Sequence, residues 1–400
     1  MISGEKHFIW QLADWPTMRY DLAALMSPLC AVSRTQGLLL GRLADVGLPL
    51  RNQASLAALT EDMVKTSEIE GERLNVDSVR SSIARRLGVE VGALAPVDRH
   101  VEGVVDMVLD ATVNCDAPLT PERLFGWHAA LFPTGYSGLA RIRVGTWRND
   151  ASGPMQVVSG PIHLPCVHYE APPAARLDAE IARFLAWANA DTREPALIKA
   201  GLAHLWFVTL HPFDDGNGRM ARAVGDLFLT RADGCPQRFY SLSAQIQRER
   251  QAYYDILEQT QKGRLDVTDW LAWFLNALLQ AVESAQQTLD AVLVKARFWQ
   301  CWAGTPLNER QVKLLNRLLD GFQGKLTSNK WATIAKCSSD TALRDINALI
   351  ALGMLRKSVD GGRSTAYELV DKKFQNPMTK KRIDAAARPA NSSMRDTKTP

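Results

Sequence analysis

"HPFDDGNGRMAR", residues 211–222, places a histidine, two adjacent carboxylates, a Gly-Asn-Gly turn and two arginines within twelve residues. The run before it, "EPALIKAGLAHLWFVTL" (194–210), is apolar on nearly every face, which predicts a buried central helix. The run after it, "RMARAVGDLFL", has the spacing of an amphipathic helix. The stretch is therefore a loop that opens a helix. Glycines at such a junction let backbone N–H groups turn toward an anion, and the helix N-terminus adds positive potential. Arg219 and Arg222 lie three apart on one face of the first turn, and paired guanidiniums suit a polyphosphate. Asp215 is a hard oxygen ligand beside them, and Mg²⁺ is usually held by one or two carboxylates plus substrate phosphates. His211 can act as a general base near neutral pH. These parts fit phosphoryl or nucleotidyl transfer. No activated Ser or Cys lies in the stretch, so the acceptor hydroxyl comes from another molecule. Singly, each feature also reads as a plain turn, a helix cap or a packed histidine.

Together they match His-x-Phe-x-(Asp/Glu)-Gly-Asn-Gly-Arg-x-x-Arg at every specified position, which chance supplies on the order of 10⁻¹⁰ per start position. This resembles the signature of the Fic family, whose typical members transfer AMP from ATP to a protein hydroxyl. The resemblance implies a mostly α fold: a helical core with a β-hairpin flap. It implies that His211 deprotonates the target hydroxyl and that Phe213 anchors the loop. Asp215 would hold Mg²⁺ against the α- and β-phosphates. Gly216, Asn217 and Gly218 would form the anion nest, with Asn217 on the α-phosphate and Arg219 and Arg222 on the outer phosphates. Val157, Val158, Ser159 and Gly160 fall on the flap, where they would align a target strand and cover the nucleotide. Tyr253, Tyr254 and Gln261 fall where family members contact adenosine; two tyrosines on a helix more often just pack.

"TSEIEGE" (66–72) is the second informative stretch. Thr66 and Glu70 lie four apart on an expected helix, and Gly71 follows. A glycine inside a helix costs ~1 kcal/mol and calls for a reason such as close backbone approach. A solvated acidic face is the bland alternative. Beside the 211–222 motif, the stretch resembles the family's inhibitory helix, (Ser/Thr)-x-x-x-Glu-(Gly/Asn), whose glutamate pairs with the second arginine. Here that implies Glu70 on Arg222, where a carboxylate competes with a phosphate.

The rest of the chain sets the frame. Its 400 residues are 46% hydrophobic and 22% charged, an ordinary globular balance. The six cysteines are scattered, with no Cys-x-x-Cys pair, which argues against zinc and redox motifs. No run is long enough for a membrane span and the start lacks a signal-peptide pattern, so no membrane partner and a cytoplasmic location are expected. Helices are expected at 18–46, 54–88, 174–190, 194–210, 244–262 and 267–302. Another starts at Thr120 (N-cap), Pro121 and Glu122. Between 135 and 173 the chain is rich in Gly, Pro and β-branched residues. There "MQVV" and "CVHYE" flank "SGPIHLP", the pattern of a hairpin.

Net charge is uneven. Residues 306–370 carry ten Lys/Arg and six Asp/Glu, and residues 371–400 carry eight Lys/Arg and three Asp. The basic C-terminal part is compatible with a polyanion partner. In 326–370, short helices at 329–336 and 340–352 precede two short strands around Asp360-Gly361-Gly362, the layout of a winged helix-turn-helix. Ser339 or Asp340 would cap the second helix. Thr341 and Arg344 would project from it, and Lys330, Lys336, Lys357 and Arg363 could meet DNA phosphates. Asp340, Asp345 and Asp360 dilute that face.

Four segments are expected: an N-terminal helical domain (1–95) with the inhibitory helix at about 60–71, a Fic core (96–303), a winged helix-turn-helix (306–370) and a basic, disordered tail (371–400). The implied function is an ATP- and Mg²⁺-dependent protein adenylyltransferase acting on Ser, Thr or Tyr hydroxyls of a target protein and of itself. The alternatives are a deAMPylase using the same site and a DNA-binding regulator with a Fic sensor core. A homodimer is compatible with the sequence, which specifies none.

Overall fold

The computed structural model describes residues 8–89, 95–160, 165–319, 322, 324–358 and 365–370. They divide into two units, Met1–Gln287 and Thr288–Pro400. The first holds α1 (Leu22–Ala44), α2 (Leu48–Ile69), α3 (Val76–Leu87), α4 (Arg99–Val113) and α5 (Pro121–Leu131). Two small antiparallel hairpins follow, β1 (Tyr136–Ser137) with β2 (Ala140–Arg141) and β3 (Gln156–Ser159) with β4 (Cys166–Glu170). Then come α6 (Ala174–Asn189), α7 (Ala196–Leu210), α8 (Asn217–Asp233), α9 (Leu242–Arg248), α10 (Arg250–Gln261) and α11 (Thr268–Cys301), within which the division falls.

The fold is mostly helical, as the sequence led us to expect, and α7 is its centre. Every residue from Leu197 to Leu210 except Lys199 is buried. Gly201 permits this. A Cβ there would meet Leu271 at 2.8 Å and Phe274 at 3.0 Å, and the indole of Trp270 donates to the Gly201 carbonyl at 2.9 Å. Phe184 and Phe207 are wholly buried and tilt against each other. Such side chains contribute ~1.5–3 kcal/mol each when fully buried. α7 packs most extensively on α8, so the loop between them, residues 211–216, is held at both ends by core helices.

α2 is fixed by a polar contact as well as by packing. Asp62 accepts the Ser241 hydroxyl at 2.7 Å and the Ser243 N–H at 3.2 Å, tying α2 to the start of α9. Behind them, buried Arg238 bridges Asp226 at 2.8 Å and Asp233 at 3.6 Å.

Several expected boundaries move. The 54–88 helix is two helices, because the chain turns at 70–75. Gly71 is therefore not inside a helix. Glu70 is the C-cap of α2, and Gly71 follows with φ 85° and open space around its Cα. Its N–H bonds Glu68 O at 3.0 Å, and the Glu72 N–H bonds Ser67 O at 3.0 Å. That is a Schellman turn, in which glycine supplies the left-handed backbone. The reason for Gly71 is its φ, not a close approach. The 244–262 helix likewise breaks at Glu249 into α9 and α10.

In the second unit, α12 (Glu309–Leu319), α13 (Ser328–Ala335) and α14 (Ser339–Ala351) surround buried Trp331, Leu314 and Ile346. β5 (Leu355–Lys357) pairs antiparallel with β6 (Tyr367–Leu369). The cap of α14 is Ser338, whose hydroxyl accepts the Thr341 N–H at 3.2 Å, and not Ser339 or Asp340. Asp345 is buried and held by Arg310 at 2.8 Å. Asp360, Arg363 and the 371–400 tail lie outside the described residues. No described helix is long and apolar enough to cross a membrane.

Candidate active site

His211 ends α7 in the left-handed conformation, φ 45°. Its Nδ1 lies 2.5 Å from the Val208 carbonyl. A carbonyl only accepts, so Nδ1 carries the proton and Nε2 is left as the basic nitrogen. Burial lowers the imidazole's pKa from its ordinary 6.5, and the Arg148 charge adds to that against the upward pull of the Val208 bond. Neutral imidazole is the form a general base needs.

Two residues that the sequence did not single out build this loop. Arg148, 3% exposed, donates through Nε to His211 O at 2.7 Å and through Nη2 to Pro172 O at 2.5 Å. Its own N–H reaches Pro212 O at 2.9 Å. It joins the 211–216 loop to the chain leaving β4. His128 is buried, and burial pushes its pKa down to about 4. It stacks on Phe213 at 4.1 Å, accepts the Gly145 N–H and reaches Asp215 O at 3.2 Å. Phe213 itself is wholly buried. A loop-anchoring arginine and a neutral histidine leave no spacing signal, because each acts through backbone atoms far away in sequence.

The α8 N-terminus carries the next groups. Gly216 has φ 78° and is the N-cap. The first N–H groups of such a helix lack intrahelical partners. The Asn217 side chain closes the loop: its Oδ1 accepts the Phe213 N–H at 3.0 Å and its Nδ2 donates to Phe213 O at 2.8 Å. Asp215 accepts from the Ser137 hydroxyl and from the Gly216 N–H, while Asp214 accepts the Arg143 N–H at 2.8 Å.

Arg222 and Arg219 are both buried and both occupied. Arg222 Nη2 donates to Glu70 Oε1 at 2.6 Å and to Thr66 O at 3.0 Å, and its Nε to Thr66 Oγ1 at 2.7 Å. Arg219 Nη1 donates to Glu72 Oε2 at 2.7 Å. A Cβ on Gly218 would lie 2.2 Å from Glu70 Oε1, so the carboxylate sits directly against the first turn of α8.

A cleft of about 490 Å³ opens beside this cluster. Glu70, His211, Gly218 and Arg222 form one part of its lining. Val157, Val158 and Ser159 of the flap form another, and Tyr253, Tyr254 and Gln261 of α10 a third. Tyr253 is 1% exposed and bonds His204 at 2.9 Å, and Gln261 lies 3.3 Å from the Thr209 hydroxyl, so both are core residues with one face on the cleft. Gly160, Asp215, Gly216, Asn217 and Arg219 do not line it. Val158 is 52% exposed, and among the described residues β3 and β4 form a sheet of two strands.

Residues 118–229, which contain His211, the nest and both arginines, match the Fic/DOC family. The chain carries a Fic/DOC family domain. Residues 8–89, which contain Glu70 and Glu72, match a separate domain of unknown function, DUF4172. A Fic family protein from Desulfovibrio desulfuricans is similar over 87% of this chain and 96% of its own, at 22% identity and a TM-score of 0.51, which shows a shared fold. A Fic domain containing signaling protein from Bacteroides thetaiotaomicron is 18% identical over 66% of this chain and 96% of its own, with a TM-score of 0.47. Residues 134–508 of C. elegans Fic-1 are 18% identical over 69% of this chain and 75% of that one, with a TM-score of 0.46.

Proposed function

We propose that this protein transfers AMP from ATP to a hydroxyl of a target protein and of itself, restrained by Glu70. The observation that carries the reading is the convergence on one cleft of three things: the basic Nε2 of His211, the α8 N-terminus at Gly218 and the Arg222 guanidinium. His211 takes the hydroxyl proton. The oxygen forms a bond to the α-phosphorus, the α–β phosphoanhydride bond breaks, and pyrophosphate leaves. The Gly216–Gly218 N–H groups and the two arginines neutralise phosphate charge once the carboxylates give way. Val157, Val158 and Ser159 offer an unpaired strand edge to which an extended target segment adds, with Gly160 at its end. Tyr253, Tyr254 and Gln261 take the adenosine.

Among the described residues no set of three His, Cys, Asp or Glu forms a metal cage. One carboxylate beside the nest fits Mg²⁺, which keeps water and phosphate oxygens for most of its shell. Asp215 would hold it, and the ion would supply neutralisation of phosphate charge.

A second reading, hydrolytic removal of AMP from a modified protein, is favoured by Glu70 lining the same cleft as His211, where a carboxylate can orient water. ATP labelled in the α- or the γ-phosphate separates the reactions. Retained α label with released pyrophosphate supports transfer of AMP, retained γ label would mean a kinase, and loss of AMP from a modified substrate would mean the reverse hydrolase.

For residues 306–370 we propose contact with DNA through α14. The supporting observation is that Asp345 is turned inward onto Arg310, away from any phosphate-facing surface. Binding of the full chain to duplex DNA across a salt series tests this; affinity that does not fall with salt would reject it.

A further inference from the structure

The two neighbouring carboxylates of the 211–216 loop are held in different ways. Asp214 Oδ2 accepts the Arg143 backbone N–H at 2.8 Å, a donor whose direction the chain fixes. Asp215 accepts the Gly216 N–H at Oδ1, 2.6 Å away, and the Ser137 hydroxyl at Oδ2. Ser137 ends β1 and stands 78 residues from Asp215 in sequence. A hydroxyl turns about its C–O bond and carries two lone pairs beside its proton. It can therefore keep hold of Oδ2 while that oxygen takes a second partner.

The hairpin that carries Ser137 is itself fixed. Tyr136 pairs with Arg141 and Ser137 with Ala140, and the Ile142 N–H closes on Gly135 O at 3.1 Å. Two residues beyond β2, Arg143 makes the Asp214 contact. From α5, His128 reaches Asp215 O at 3.2 Å and accepts the Gly145 N–H at 3.3 Å. His128 thus holds the Asp215 backbone, and Ser137 holds its side chain. Asp215 directly precedes Gly216, the N-cap of α8. A metal-ligating carboxylate depends on such an orienting donor, whose loss typically costs roughly 10- to 100-fold in metal affinity.

We propose that Ser137 is a positioning residue for the metal: its hydroxyl holds the Asp215 carboxylate beside the α8 N-terminus in the orientation that takes Mg²⁺. The proposal rests on the transfer reading above, with Asp215 as the metal ligand. Asp214, committed to a backbone N–H, shapes the loop.

The test uses the full-length Glu70→Gly protein, in which Arg222 is already freed. The nucleotide is α,β-methylene ATP, which cannot release pyrophosphate. Mn²⁺ stands in for Mg²⁺ and is titrated by electron paramagnetic resonance, while calorimetry follows the nucleotide with and without metal. Adding Ser137→Ala should weaken Mn²⁺ in the complex by about tenfold. Nucleotide affinity without metal should not change, whereas a merely structural role would lower it too. Ser137→Thr keeps the hydroxyl and should keep Mn²⁺ tight. In an Asp215→Ala background, Ser137→Ala should weaken Mn²⁺ no further. Unchanged Mn²⁺ affinity in Ser137→Ala, or Ser137→Thr as weak as Ser137→Ala with circular dichroism intact, overturns the proposal. Should Asp215→Ala bind Mn²⁺ as tightly as its parent, Ser137 has no ligand to position and the proposal falls, while nucleotide binding leaves the transfer reading standing. Should Glu70→Gly bind no nucleotide with or without metal, the transfer reading fails and Ser137 falls with it.

Discussion

Glu70 and Arg222 meet at 2.6 Å across 152 residues of chain, one at the end of α2 and the other in the first turns of α8. Each is replaceable alone, so the contact can be tested as a pair. In Glu70→Gly, transfer activity and ATP affinity should rise on the order of tenfold, as expected for freeing one buried phosphate-binding cation. In an Arg222→Ala background the same change should give no comparable gain. Transfer measured in all four proteins decides it; an unchanged Glu70→Gly with intact circular dichroism would rule out the inhibitory contact.

Gly218 offers an independent check on where the Glu70 carboxylate lies. A Cβ there would come within 2.2 Å of Glu70 Oε1. Gly218→Ala must push that side chain off Arg222, at a cost of about 1–2 kcal/mol in unfolding free energy. In Glu70→Gly only Arg222 Nη1, at 3.3 Å, stays close to that Cβ, and Gly218→Ala should then cost less. Denaturant unfolding of the two pairs measures the difference.

His211→Ala should abolish transfer while leaving ATP affinity nearly intact, because a base acts in the transition state. The pH dependence has a definite sign. Burial, helped by Arg148, lowers the His211 pKa below 6.5, so the imidazole is neutral at pH 7. The rate should fall as pH drops through a midpoint below 6.5 and stay flat from 7 to 8. A midpoint above 7 would contradict a base in this environment.

Phe213→Ala should destabilise the protein by about 3–5 kcal/mol, since the ring is wholly buried against His128 and Trp147. Because that ring anchors the catalytic loop, transfer should fall even at temperatures where the protein stays folded. Calorimetric melting and transfer at 15 °C separate the two effects.

The 211–222 motif was legible because its groups act together over a short span of one loop and one helical turn. The Glu70–Arg222 contact was legible only through the resemblance of 66–72 to an inhibitory helix, and the bonds of Thr66 to the same arginine were not foreseen. Glu72 stood in the same quoted stretch and was passed over. On a continuing helix, residues 70 and 72 would point to different sides, and only the left-handed turn at Gly71 brings both onto α8. The bonds of the Asn217 amide to the Phe213 backbone, which close the loop, leave no mark in the motif's spacing. Arg148 could not be read at all. It binds carbonyls of His211 and Pro172, and a backbone carbonyl has no residue identity to recognise.

Glu70 and Glu72 stand on either side of one glycine with φ 85°, so a single backbone turn sets both carboxylates against α8. Each contact is a charge-assisted bond to a buried arginine from a carboxylate that water also reaches, together worth about 2–4 kcal/mol. The closed arrangement then outweighs the open one by about 30- to 1,000-fold, so between a few per cent and a tenth of a per cent of molecules are open at any moment. Such a restraint is leaky by construction. On the proposed reading it would set a threshold concentration of triphosphate and not impose silence, so that rising nucleotide alone would populate the open form with no partner protein present.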